Sequence, residues 1–193
     1  MSSAVLRKFV HRTLRKIDRK IVRVRPGEVT GVDLQDDLGL TIPGDEPVCF
    51  DVGANQGQTI RMLQRALKRP RIHVFEPSSA TFAQLTTQWF PRGVSFHQCA
   101  LGDKPAHLEF INYQKSTLSS LLPLDPHPEN RFHHVDVVDR EMVEVSTVDD
   151  FMARHDLPAL DLLKVDTQGF DFAVLKGPPA RCRVAEYERC WSN

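Results

Sequence analysis

Hydrophobic positions change period several times along this chain, and each change marks an element. Between residues 4 and 24, Leu6, Val10, Leu14, Ile17, Ile21 and Val24 recur every three or four positions, which places them on one helix face. Pro26–Gly27 ends that helix, and residues 26–47 read as a connector broken by Gly39, Pro43, Gly44 and Pro47. The apolar run Val48, Cys49, Phe50 and Val52 predicts a first strand at 48–52, and Ile60, Leu63 and Leu67 predict a helix over 57–68. RIHVFE, 71–76, predicts a second strand, and Phe82, Leu85 and Trp89 a helix over 79–89. VSFHQCAL, 94–101, reads as a third strand, and AHLEFI alternates as an extra strand that pairs locally. Met142 to Val145 predicts a strand followed by a helix with Ser146 or Thr147 as N-cap and Asp149 and Asp150 in its first turn. DLLKVD, 161–166, reads as a buried strand. Strands alternating with helices predict an α/β domain built on a parallel sheet.

The stretch VCFDVGANQGQT, 48–59, carries the first chemical signal. A strand runs into two glycines four apart, Gly53 and Gly57, and a helix begins at once. Glycines let the backbone turn sharply and approach a ligand, and a helix start offers free N–H groups. A dinucleotide site uses G-x-G-x-x-G, whereas the order here is D-x-G-x-N-x-G, with Asp51 ahead of the first glycine. An acid in that place repels a pyrophosphate and suits an ammonium or sulfonium. No Gly-Lys-Ser/Thr follows, which excludes a P-loop.

Two further acids stand at comparable places. Glu76 ends the second strand before Pro77, one crossover after Asp51, where an acid can hold ribose hydroxyls beyond a strand's carboxyl end. Asp166 ends DLLKVD, and alternation puts Lys164 on the same side of that strand. A lysine near the end of a central strand is costly unless partnered, so a role in a site is expected of it. Asp51, Glu76 and Asp166 are therefore expected to converge on one crevice, with Ala100 and Leu101 leaving the third strand beside it. Residues 112–135 are the least regular part, with Tyr113, Lys115, Ser116, Thr117, Ser119 and Ser120 followed by prolines and His127, His133 and His134. A loop this long is usually functional, and an acceptor-side lid is the reading adopted, with one of the histidines as a base. Their spacing is not that of a metal site, and no metal is expected.

Composition alters this picture in one respect. Across 193 residues the formal net charge is zero, yet residues 1–25 hold nine Lys/Arg against one acid, Asp18. The rest holds 16 basic and 24 acidic residues, so a basic head precedes an acidic body. Such an amphipathic head packs on the body or a partner chain, or lies on an anionic membrane surface, as peripheral contact through residues 4–24. Nucleic acid is not expected, because Phe9 is the only stacking aromatic there. Cys49, Cys99, Cys182 and Cys190 form no CxxC pair or disulfide framework, which fits a reducing, cytoplasmic setting. The division is thus a head at 1–25, a connector at 26–47 and a domain at 48–193.

With these residues assembled, the chain resembles the FkbM-type family of S-adenosylmethionine-dependent methyltransferases. The matching segments are FDVGANQGQ, VFEPSSATFAQL, ALGDKPAHLEF, STLSSL, VSTVDDF and DLLKVDTQGFDFAVLKG. The resemblance implies a class I methyltransferase (Rossmann-like) fold, a twisted, mostly parallel sheet with helices on both faces. It implies S-adenosyl-L-methionine as cofactor and O-methylation of a sugar, glycolipid or natural-product hydroxyl. Carried across, Asp51, Gly53, Asn55 and Gly57 would line the methionine end, Glu76 would hold the ribose, and Ala100 and Leu101 would border the adenine. Asp166 would face the reacting end as the catalytic candidate, with Lys164 setting its charge state. The chain departs from the family at Gln168 and Asp171, where many relatives have glutamates. Only 16 residues follow Gly177, fewer than the last helix and strands of this fold need. The end therefore reads as truncated or replaced, and the alternative is an inactive fragment that keeps cofactor binding or serves as a partner-binding module.

Overall fold

The computed structural model describes residues 33–127, 129–130, 132 and 134–176, and the backbone of residues 185–187. The basic segment 4–24 and most of the segment after Lys176 lie outside the described residues.

Five parallel strands form the main sheet. They are β1 (Val48–Val52), β2 (Arg71–Phe75), β3 (Val94–His97), β7 (Leu162–Val165) and β8 (Ala185–Tyr187), in the order β3-β2-β1-β7-β8. Chain order reverses at β1, which has β2 on one side and β7 on the other. That is a topological switch point, where the crevice beyond the strand ends is open to a ligand. β1 is buried at every position, as a central strand covered on both faces must be.

Alternation along the strands sorts the core. Phe50, Val52, Phe75, Leu163 and Val165 face a layer that includes Phe151 and Met152 of α4 (Val148–Arg154). Cys49, Ile72, Val74 and Leu162 face the opposite layer, against Ile60 and Leu63 of α2 (Gln58–Ala66) and Leu85 of α3 (Ser79–Thr87). Thr147 is the N-cap of α4, accepting the Asp150 N–H at 3.0 Å.

Three features differ from the expectation. The connector holds a helix, α1 (Leu34–Thr41), capped by Asp33, whose carboxylate accepts the N–H of Gln35 and Asp36. Its Leu38 is buried with Leu63 and Leu67. The expected third strand is two strands: β3 stays in the main sheet, and after Gln98–Cys99 the chain enters β4 (Ala100–Leu101) of a second sheet. That sheet has the order β4-β6-β5, with the long antiparallel pair β5 (Ala106–Tyr113) and β6 (Val137–Ser146). The expected four-residue strand at 142–145 is thus the end of a ten-residue strand, long because β5 pairs along nearly all of it.

Candidate active site

At the carboxyl ends of β1, β2 and β7 lies a cavity of about 250 Å³. Its wall includes Gly53, Asn55, Glu76, Lys164 and Asp166 from the main sheet's loops, and Ala100 and Leu101 from β4. Seven of the nine candidate residues are therefore on one wall. Asp51 and Gly57 are not.

Asp51 sits under the floor. It is fully buried, and Lys164 Nζ stands 3.1 Å from its Oδ1, 3.3 Å from the carbonyl oxygen of Gly53 and 4.0 Å from Asp166 Oδ2. Neither Asp51 oxygen accepts a well-directed hydrogen bond from a described group, so the ammonium is its main compensation. Burial pushes the Asp51 carboxyl upward, Lys164 pulls it back and the charge of Asp166 pushes it further up. One cation is thus shared by two carboxylates, and the ammonium lies between the buried acid and the one at the wall. Asp51, expected at the ligand, is placed here beneath the wall: strand alternation turns its side chain toward the α2 layer, beneath the glycine turn.

Gly53 makes that turn possible. Its φ is +76°, and a Cβ there would stand 2.0 Å from the carbonyl oxygen of Asp166. Only glycine lets the β1 and β7 loops touch. Gly57, at φ +78°, starts α2, and a Cβ there would crowd Phe90 and Leu85. It lies behind the wall.

Glu76 is 5% exposed and still reaches the cavity. Its Oε2 accepts the Asn55 N–H at 2.9 Å and its Oε1 accepts the Ser78 N–H at 3.0 Å. A carboxylate has about four lone-pair sites, so acceptor capacity is left for a ligand's hydroxyls. Burial raises its pKa to about 7, with the two N–H donors opposing, Asp51 adding to the rise and Lys164 reducing it. Phe75, Cys99 and Phe110 join Ala100 and Leu101 as apolar lining, a composition suited to a heteroaromatic ring.

The serine-rich stretch after β5 also lines the cavity. Ser116, Thr117, Ser119 and Leu121 are on the wall. Ser116 Oγ donates to Asn55 Oδ1 at 3.3 Å, and Ser120 Oγ lies 3.0 Å from the carbonyl oxygens of both Thr167 and Gln168. Part of the stretch expected as a lid thus lines the cavity, but His127 and His134 are not on its wall, and His133 lies outside the described residues. Wall residues that sequence reasoning did not single out include Phe75, Phe110 and Thr167. Phe110 comes from the second sheet, and only knowledge of the β5–β6 pairing could have brought it here. Among the described residues no cluster of His, Cys, Asp or Glu could hold a metal ion.

The residues present fit S-adenosylmethionine: a buried acid with free acceptor capacity, an apolar slot beside it, a glycine turn and an excess of carboxylate over ammonium. Comparison with known proteins bears on the family. Residues 51–188 match the profile of the methyltransferase FkbM domain. The chain is 31% identical to the 31-O-demethyl-FK506 methyltransferase FkbM of Streptomyces tacrolimicus, over 70% of this chain and 60% of that protein. It is 28% identical to Methyltransferase 1 of Beauveria bassiana (strain ARSEF 2860), over 69% of this chain and 59% of that protein. A crystal structure of Methyltransferase FkbM from Methylobacillus flagellatus KT aligns with a TM-score of 0.46 at 19% identity, over 72% of this chain and 31% of that one. The chain spans about three fifths of the length of these curated relatives. With the profile matched over most of its length, the chain belongs to the FkbM methyltransferase family.

Proposed function

We propose that this chain is an S-adenosylmethionine-dependent O-methyltransferase whose acceptor is a hydroxyl of a sugar, glycolipid or natural product. The observation that carries the reading is Glu76, a buried carboxylate at the end of β2 that opens on a cavity beside a glycine turn. A dehydrogenase would need the same topology with a pyrophosphate-binding turn, which D-x-G-x-N-x-G is not. The name of one relative, a 31-O-demethyl-FK506 methyltransferase, supports oxygen as the methylated atom.

In this reading Glu76 accepts the ribose hydroxyls and the slot of Phe75, Ala100 and Leu101 takes the adenine. The Asn55 side chain and the Gly53 backbone border the methionine end. Bound there, the cofactor would supply an electrophilic methyl group on a sulfonium. Lys164 keeps buried Asp51 compensated, and Asp166, on the wall, meets the cofactor's amino end or the acceptor hydroxyl. Ser116, Thr117 and Ser119 offer neutral hydroxyls from above, which suits an uncharged polyhydroxylated acceptor. Holding the acceptor oxygen in line is worth at most ~7–11 kcal/mol, and a general base adds roughly 10²–10⁴-fold.

Calorimetric titration with S-adenosylhomocysteine tests the cofactor half. Failure of soluble, monodisperse protein to bind it removes the proposal. Methyl release with a panel of hydroxylated acceptors tests the other half: binding without turnover on any of them leaves the inactive, cofactor-binding alternative in its place.

A further inference from the structure

The loop after β7 is held more firmly than a strand-to-helix turn requires. Gln168 has φ +54°, a left-handed conformation that its Cβ disfavours, and Gly169 follows at φ +100°. Two side chains fix this shape. Ser120, 2% exposed, has its Oγ 3.0 Å from the carbonyl oxygens of Thr167 and Gln168, while the same Oγ accepts the Leu122 N–H at 3.1 Å. Ser120 is itself fixed, because its backbone exchanges two hydrogen bonds with Ile111 of β5, at 2.9 and 3.2 Å. From the other side, Asp171 accepts the N–H of Thr167 at 2.8 Å and that of Gly169 at 3.0 Å. The outcome is that Gln168 Nε2 donates to Asp166 Oδ1 at 2.6 Å. Asp166 Oδ2 is the oxygen near Lys164. One carboxylate oxygen is thus held by an amide and the other lies toward an ammonium, which fixes the plane of the group at the cavity wall.

Resting on the cofactor assignment above, we propose that Gln168 is a positioning residue. Clasped through its carbonyl by Ser120, it orients Asp166 toward the amino-acid end of the bound cofactor. A neutral amide suits this task because it gives Asp166 a donor. Strain held by several surrounding contacts is the expected mark of such a residue.

Two probes separate orientation from folding. S-adenosylhomocysteine carries the amino-acid end, and 5′-methylthioadenosine has the same adenosine without it. Gln168→Gly removes the amide and suits a positive φ, so its melting temperature is expected to equal or exceed that of the wild type. Its affinity for S-adenosylhomocysteine is expected to fall about tenfold, with 5′-methylthioadenosine unchanged within about twofold. Ser120→Ala is expected to show the same selective loss. Unchanged affinity for both probes in Gln168→Gly, or an equal loss for both, overturns the inference while leaving the cofactor assignment standing. Failure of the wild type to bind either probe removes the assignment and the inference with it.

Discussion

Lowering the pH from 8 to 6 is expected to weaken S-adenosylhomocysteine binding about tenfold through Glu76. Burial lifts this carboxyl to about 7 in the free protein, so it exchanges a proton across the working range. A ribose diol donates hydrogen bonds, and donation favours the ionised acid. If the carboxylate is the binding form, the ionised fraction is about nine-tenths at pH 8 and about one-tenth at pH 6, a difference near 1.4 kcal/mol. Calorimetry in buffers of different ionisation enthalpy is expected to show release of about half a proton at pH 7. Glu76→Gln cannot release it, and its weaker affinity is expected to stay flat between pH 6 and 8. The same group acts on stability with a fixed sign. Its folded pKa is raised from 4.5, so its stabilising effect is present below that value and is lost as pH rises through 7. At 5% exposure the loss reaches about 3 kcal/mol. A wild type whose affinity is independent of pH from 6 to 8, or a Glu76→Gln variant with the same slope, refutes this account of the acid.

Other consequences can be checked separately. His73 and His97 stack at 5.4 Å with ring nitrogens 3.2 Å apart, among Phe75, Phe151 and His155, and burial followed by neighbouring positive charge lowers both from 6.5 to about 4. Folding must keep them neutral, so stability is expected to fall as pH drops from 6.5 to 4, by up to about 3 kcal/mol for His73, and urea titrations of His73→Phe are expected to lack part of that slope. Gly53→Ala would push a Cβ into the carbonyl of Asp166 at φ +76°; a loss of about 3 kcal/mol or more in urea unfolding, with no measurable cofactor binding, is expected. For the basic head, removing residues 1–25 is expected to abolish flotation with anionic vesicles, and unchanged flotation rejects peripheral membrane attachment.

The parts of this molecule legible in its sequence are those governed by local rules. β1 with its glycine turn, and β2 ending at Glu76, follow from apolar runs and breakers that act within a few residues. Lys164 was legible as well, because a charge on a buried strand demands a partner wherever the strand lies. What alternation could not tell is which layer of helices would close over which parity, so Asp51 was placed on the wall when it lies beneath it. The split of β3 from β4 was hidden because VSFHQCAL contains no glycine or proline to break it, and only the second sheet's pairing ends it at His97. α1 was disguised by Gly39 in mid-helix, although Asp33 ahead of Leu34 and Leu38 carried the cap signal. The clasp of Ser120 on Thr167 and Gln168 joins residues nearly fifty apart and leaves no periodic trace.

The break between β3 and β4 makes the cavity a seam between two plates. Glu76 and Lys164 ride on the large plate, and Ala100, Leu101 and Phe110 on the small one. Outside the chain crossing at Gln98–Cys99, one stitch is the Glu141 carboxylate of β6, which takes both the N–H and the hydroxyl of Ser79 while also receiving Asn112 at 2.8 Å. The width of the slot is therefore an inter-plate distance, and substitutions far from any ligand, in the β5–β6 hairpin, can retune which ring it grips.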